Sequence, residues 1–400
     1  MDPRCTDRLP QTADVVVIGG GIVGAATAFF LSRSARRPVV IERMDRLADA
    51  TTRVSAHAVR CQFSEPENID QTKESLAIYE GFAELLGRPD ASRAIGLCQQ
   101  GYLFASSEPD ETPAFRARVA RQRSLGVDDV ELLDGDEIRR RFPWMSSEVA
   151  VGTFRQRDGW LDASAAAVEL AAAAGAPVAL GTTVLSIDVE AGRVTGVTTD
   201  RGRIATGDVV LAAGPLSRSL SPEPLPVALW RRHRIATRFD ARVPAGAPMT
   251  IDANTGAHWR PHRGGAIVAW AQPEVDQEAT WPVETDPAWP DLALRSTRGV
   301  GRLSPFWREL AADLAPADYL FTAGLYTVTP DHKPLIGPAN ETMGLWLNTG
   351  YSGHGVMGAP SGSRLLADLM ASRVLAGDNP FHPGRFAAGT KPPDLEQIVL

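Results

Sequence analysis

Residues 14–42 read DVVVIGGGIVGAATAFFLSRSARRPVVIE, and this stretch decides the fold. Val15–Ile18 is a four-residue run of β-branched side chains, the signature of a strand buried on both faces. Gly19, Gly21 and Gly24 then give the spacing G-x-G-x-x-G. The first glycine permits a tight turn, the second lets backbone approach a pyrophosphate, and the third lets a helix pack close to the strand. A helix is expected from Ile22 to about Ser34, with Ala25, Ala26 and Ala28 as small residues along one side. Its first turn, with Ile22 and Val23, offers free N–H groups and a partial positive charge to phosphates. Pro38–Glu42 reads as a second buried strand. It ends on Glu42, 18 residues after Gly24, where a carboxylate can accept ribose hydroxyls. Strand, glycine turn, helix, strand and acid together specify a dinucleotide-binding βαβ unit. They do not choose between NAD and FAD.

Working outward, residues 1–12 read as a polar, loose arm. Residues 66–86 have helical spacing through Ile69, Leu76, Tyr79 and Phe82, and residues 111–125 and 134–141 read as charged helices. Asp162 caps an alanine-rich helix, Ala163–Ala174, which Gly175 ends. From Val178 to Ala213 the period changes to strands, punctuated at 191–193 and 200–202. The stretch 227–320 alternates like an antiparallel sheet and holds six of the nine tryptophans: Trp230, Trp259, Trp270, Trp281, Trp289 and Trp307. A closing helix is expected from about Ser361 to Leu375, followed by a polar tail.

Composition sets limits. Four hundred residues with 44% apolar and 22% charged side chains suit a globular chain with a sizeable core. A formal charge of −7 argues against a nucleic-acid partner. Val15–Leu31 is too short and too glycine-rich to be a transmembrane segment or a signal sequence. Cys5, Cys61 and Cys98 lack metal or disulfide spacing, which fits a reducing cytoplasm and no metal site.

Four further segments appear in order. They are Ala50–Phe63 with Arg60-x-x-Phe63, Gly101-Tyr-Leu-Phe104, Thr329-Pro-Asp-x-x-Pro334-x-x-Gly337, and Gly350-Tyr-Ser-Gly-His-Gly355. With the N-terminal turn, the chain resembles the FAD-dependent D-amino-acid oxidase, glycine oxidase and sarcosine oxidase family. That resemblance implies an α/β (α+β overall) architecture, with a Rossmann-like FAD-binding domain and a mainly antiparallel β-sheet substrate domain. The expected FAD-binding domain comprises 13–88, 150–225 and 321–378. The substrate domain takes 89–149 and 226–320, and 1–12 and 379–400 are terminal arms. The implied activity is oxidation of the C–N bond of an amino acid or secondary amine, with oxygen or a quinone or carrier as electron acceptor. The alternative on a related fold is a 2-hydroxy-acid dehydrogenase.

The resemblance also implies site residues. Arg43, Thr51 and Thr52 follow the second strand, Val184 meets the adenine by main chain, and Ala213-Gly214 closes over the cofactor. Gly350, Ser352, Gly353, His354, Gly355 and Val356 bring a helix N-terminus to the flavin, with His354 as a candidate donor. Arg60 is the expected carboxylate clamp, and Tyr326 and His258 are candidate polar contacts with the substrate. Three departures stand out. Where sarcosine oxidases attach flavin through cysteine this chain has Gly324, so FAD is expected to be non-covalent. Their second carboxylate-binding residue, a lysine, is replaced by Met357. The strand that carries their oxygen-activating lysine, His258–Trp270, has none, and Lys333 is the sole lysine near the cofactor segments.

Overall fold

The structure is a computed structural model that describes residues 2–271 and 279–386. Two sheets organise it. The first has seven strands in the order Arg4–Cys5, Pro177–Ala179, Pro38–Ile41, Val15–Ile18, Val209–Leu211, Leu345–Thr349 and Leu335–Pro338. All neighbours are parallel except the last pair. Val15–Ile18 lies at its centre and is buried throughout, because the helices Ile22–Arg33 and Gly355–Met370 pack over it. On the other side lies a three-stranded antiparallel meander, Val184–Glu190, Arg193–Thr199 and Gly202–Ala205. Its turns fall at Ala191-Gly192 and Asp200-Arg201, as the punctuation predicts.

The second sheet has eight strands in the order Tyr319–Val328, Ala228–Thr237, Gly265–Trp270, Ala257–His262, Met249–Asp252, Tyr102–Ser106, Val151–Arg155 and Glu131–Asp134. It is antiparallel except where Met249–Asp252 meets Tyr102–Ser106. The strands at 151–155 and 319–328 hydrogen-bond here, so sheet membership departs from the segment limits read from sequence.

Several local expectations need correction. The N-terminal arm is not loose: Arg4–Cys5 extends the parallel sheet and Thr12 bridges to Ala205. The helix at 66–86 is two helices, Pro66–Glu80 and Phe82–Leu86, broken at Gly81. The closing helix starts at Gly355 rather than Ser361 and ends at Met370. Pro360 lies inside it, and a proline cannot donate to the carbonyl four residues back. That carbonyl, on Val356, instead accepts a 2.7 Å hydrogen bond from the Tyr79 hydroxyl, so the helix continues through the proline. Residues 379–386 also pack: Asn379 donates to the Ile336 carbonyl and Phe381 is buried, while 387–400 lie outside the described residues. The Asp162 cap and the left-handed Gly175 are present as expected.

The tryptophans do not line a pocket as a group. Trp259, Trp270, Trp289 and Trp307 form a core between the far face of the second sheet and the helices Trp289–Arg295 and Phe306–Asp313. The near face, turned toward the first sheet, carries the opposite parity. Register places Tyr326 beside Trp230, Gly324 beside Arg232, and Thr322 beside Arg234. Arg234 then meets Ala269, which meets His258. Alternation puts these residues on one face, although they come from four separated strands.

Candidate active site

A long cleft runs between the sheets, with an empty volume of about 1470 Å³ including its mouth. It begins over the glycine turn. The helix side of the turn is fixed by contact: a side chain at Gly24 would collide with the Gly19 carbonyl, so the helix sits directly against the strand end. Gly21 is the N-cap and offers no side chain to the first turn. Ile22 N donates to Thr52 Oγ1 at 3.2 Å. The N–H groups of Val23 and Gly24 lie in that first turn, where helix geometry supplies no acceptor. Glu42 lines the cleft. Its Oε2 accepts from Gly20 N at 2.6 Å and its Oε1 from Met44 N at 2.8 Å. Burial raises its pKa, and each oxygen keeps a lone pair for a hydroxyl.

Of the residues expected to hold a dinucleotide, Gly19, Gly21, Ile22, Val23, Glu42, Arg43, Thr51, Thr52, Val184, Ala213, Gly214, Gly350, Gly353, Gly355 and Val356 line this one cleft. Three do not. Gly24 works beneath the turn, as above. Ser352 is fully buried, and its hydroxyl accepts from Thr329 N at 3.2 Å and shapes the 350–355 loop. The His354 ring turns away and packs edge-on against Phe63, with centroids 4.8 Å apart. Burial holds His354 neutral, well below the usual histidine range, and its Nε2 is buried without a partner.

At the inner end the loop 350–355 leads into the helix Gly355–Met370, whose N-terminus therefore points at the cleft. The loop is held from behind. Tyr351 Oη donates to Asn348 Oδ1 at 2.7 Å, and Asn348 Nδ2 donates to Thr27 at 2.9 Å and Ser363 at 3.1 Å. Gly353 has φ +89° and lies under the Tyr326 ring, where a Cβ would sit 2.9 Å from Tyr326 Cδ2.

Sequence reasoning missed Trp281, which joins the cleft wall with the Arg43 guanidinium 5.4 Å from its ring centroid. No local pattern marks that pairing, because the two residues meet only through tertiary structure.

A second, small cavity opens beside the inner end, with about 430 Å³ of empty space including its open mouth, and shares Thr51, Ser55 and Tyr326 with the cleft. Its other walls include Arg232, Arg234, His258, Ala269 and Gly324. The Arg232 guanidinium lies 5.1 Å from the Tyr326 ring centroid. His258 Nδ1 lies 2.8 Å from the Gly256 carbonyl, an acceptor only, so Nδ1 carries the proton and Nε2 a lone pair. Burial pushes His258 down to about 4. Arg60 lines neither cavity. It is 2% exposed, stacks 3.8 Å from the Phe63 centroid and donates to the Gln62 carbonyl. Lys333 is also removed from the cleft wall, its ammonium paired with Glu67 at 3.2 Å and Glu65 at 3.6 Å. The arginines at 232 and 234 were the missed candidates; only strand register brings them beside Tyr326.

The cleft fits a dinucleotide with an extended second half. The family pattern described as FAD dependent oxidoreductase matches residues 14–369. The chain belongs to that family. This oxidoreductase is 28% identical to the FAD-dependent oxidoreductase domain-containing protein 1 of Xenopus laevis over 416 residues, covering 91% of this chain and 80% of that protein. It is 26% identical over 377 residues to the human mitochondrial sarcosine dehydrogenase, covering 87% of this chain but 38% of that longer protein. Among solved structures it is similar to the L-proline dehydrogenase of P. horikoshii. There the TM-score is 0.80 at 26% identity, over 96% of this chain and 100% of that one. The oxidoreductase is therefore an FAD-dependent enzyme, and the glycine turn, Glu42 and the helix beginning at Gly355 are the groups that would hold FAD. Among the described residues no His, Cys, Asp and Glu grouping suits a metal, no cysteines are paired, and no helix is long and apolar enough to cross a membrane.

Proposed function

We propose that the oxidoreductase converts an amino acid or secondary amine to an imine, the C–H bond next to nitrogen giving up a hydride and the nitrogen losing its proton to solvent. The carrying observation is the cavity beside the inner end of the cleft, which joins a neutral histidine acceptor to arginines on one sheet face. FAD, when bound, supplies the hydride acceptor. The rest of the work falls to side chains. The His258 Nε2 lone pair accepts from a substrate N–H and orients the nitrogen. Arg232 offers a carboxylate a planar donor edge beside Tyr326. Tyr326, wedged over Gly353, separates the substrate from the loop and limits its approach. The sarcosine and L-proline dehydrogenases among the similar proteins support an amine substrate by their names.

Flavin attachment is read as non-covalent. Gly324 leaves no tethering group, and a side chain there would stand 2.6 Å from Val54 Cγ2.

The test is anaerobic flavin bleaching across D- and L-amino acids, N-methyl amines and 2-hydroxy acids. Bleaching by amines alone is the expected result, and bleaching by hydroxy acids alone overturns the reading. Readmitting oxygen, or adding a quinone instead, then identifies the acceptor. Arg60→Ala and Arg232→Gln separate the two candidate carboxylate clamps. Loss of amino-acid affinity is expected with Arg232→Gln, whereas loss with Arg60→Ala alone would restore the assignment implied by family resemblance.

A further inference from the structure

The smaller cavity is lined by a second arginine. Arg234 lines it two residues along the strand from Arg232, on the same face. Strand rise puts the two Cα atoms roughly 6.6 Å apart. Arg234 Nη1 donates to the carbonyls of Ser55 at 2.9 Å and Arg53 at 3.3 Å, which cap the short helix Thr51–Val54. That leaves the Nε and Nη2 edge. Nε is buried and has no hydrogen-bond partner, and no carboxylate among the described residues lies within ion-pair distance of the guanidinium. Behind it stands Arg260, 2% exposed and donating to the Ala56 and Pro261 carbonyls, again without a carboxylate. Burial lowers both to about 10, with repulsion from Arg53 adding to it at Arg234 and repulsion from Arg234 adding to it at Arg260. His57 and His262, which also feel these arginines, are held neutral at about 4. Taking a cation out of water without a paired counter-charge is unfavourable, so an anion entering here would gain a partner.

We propose that the cavity selects an amine carrying two carboxylates, the second held side-on by the Nε and Nη2 edge of Arg234. Paired parallel N–H donors match the two oxygens of a carboxylate. Arg232 and Tyr326 take the end nearest the cleft, and Arg234 takes the far end. The assignment rests on the amine-oxidising reading and narrows its substrate class.

The experiment compares matched pairs with the FAD-loaded enzyme: N-methylglycine against iminodiacetate, and 2-aminobutyrate against aspartate and glutamate of both hands. Apparent dissociation constants come from the concentration dependence of anaerobic flavin reduction. At least a tenfold preference for the dicarboxylates is expected, and Arg234→Gln should collapse that ratio toward one. A parallel titration with glutarate and butyrate, which carry no oxidisable amine, reads binding alone through the flavin absorbance. Glutarate should bind at least tenfold more tightly than butyrate, and Arg234→Gln should remove the difference. If Arg234 acts only as a cap for Thr51–Val54, the variant lowers the melting temperature and leaves both ratios unchanged, which overturns the proposal. Equal reduction by mono- and dicarboxylates overturns it while sparing the amine-oxidising reading. If no amine reduces the flavin, that reading fails instead.

Discussion

Replacing Gly353 by alanine tests how the loop and Tyr326 share space. Two costs add. The residue has φ +89°, and a left-handed backbone costs an L side chain roughly 1–2 kcal/mol. The new methyl also meets the Tyr326 ring, and overpacking of this kind costs about 1–3 kcal/mol. The sum, about 2–5 kcal/mol, is a large part of the 5–15 kcal/mol typical of a folded domain, so the variant should fold but melt early. Urea unfolding of the FAD-loaded protein, followed by flavin fluorescence and far-ultraviolet circular dichroism at fixed free FAD, measures the total; fixed FAD matters because bound ligand itself adds stability. A cycle with Tyr326→Ala divides it. Removing the ring should return the overpacking part, about 1–3 kcal/mol, and leave the backbone part untouched. A coupling below about 0.5 kcal/mol would refute the reasoning, because the ring would then not be what the methyl strikes.

Acid precipitation should leave a colourless pellet and free FAD in the supernatant; a yellow pellet contradicts the reading of Gly324. Stability should fall with pH between about 6.5 and 4. His57, His233, His258 and His262 are each held near 4 in the fold, chiefly by burial, so the unfolded chain takes up protons first. For the fully buried His258 alone the slope approaches about 1.4 kcal/mol per pH unit, and a urea midpoint that stays flat across this window would show the rings are already protonated in the fold. Tyr351→Phe should cost about 1–3 kcal/mol by depriving buried Asn348 Oδ1 of its donor, and a change under 0.5 kcal/mol in the urea experiment would show that the loop is held by other contacts.

The cofactor half of the molecule was legible because its chemistry is local. A turn, a helix start and an acid at fixed spacing lie in one run of chain, and each residue type there has a physical reason. The substrate half was not. Tyr326, Arg232, Ala269 and His258 share a face only through the register of four strands drawn from 228 to 328, and no spacing in sequence encodes that register. Arg60 was singled out through family resemblance, and the fold turns it onto Phe63 and Phe104. The last helix runs on through Pro360 by a distant contact: the Tyr79 hydroxyl that rescues the carbonyl beneath Pro360 comes from 277 positions away. Arg4–Cys5 is too short to announce itself, and becomes a strand only because Pro177–Ala179 leaves an open edge.

Tyr326 belongs to the walls of both cavities. Its ring, with Thr51 and Ser55, thus stands between two compartments, and any occupant that shifts it alters the space left to the other. Such coupling is reciprocal: whatever free energy a filled cleft adds to ligand binding in the smaller cavity, that ligand must add to retention of the dinucleotide. Substrate analogues should therefore slow cofactor loss, and an empty cleft should weaken the analogues by the same factor.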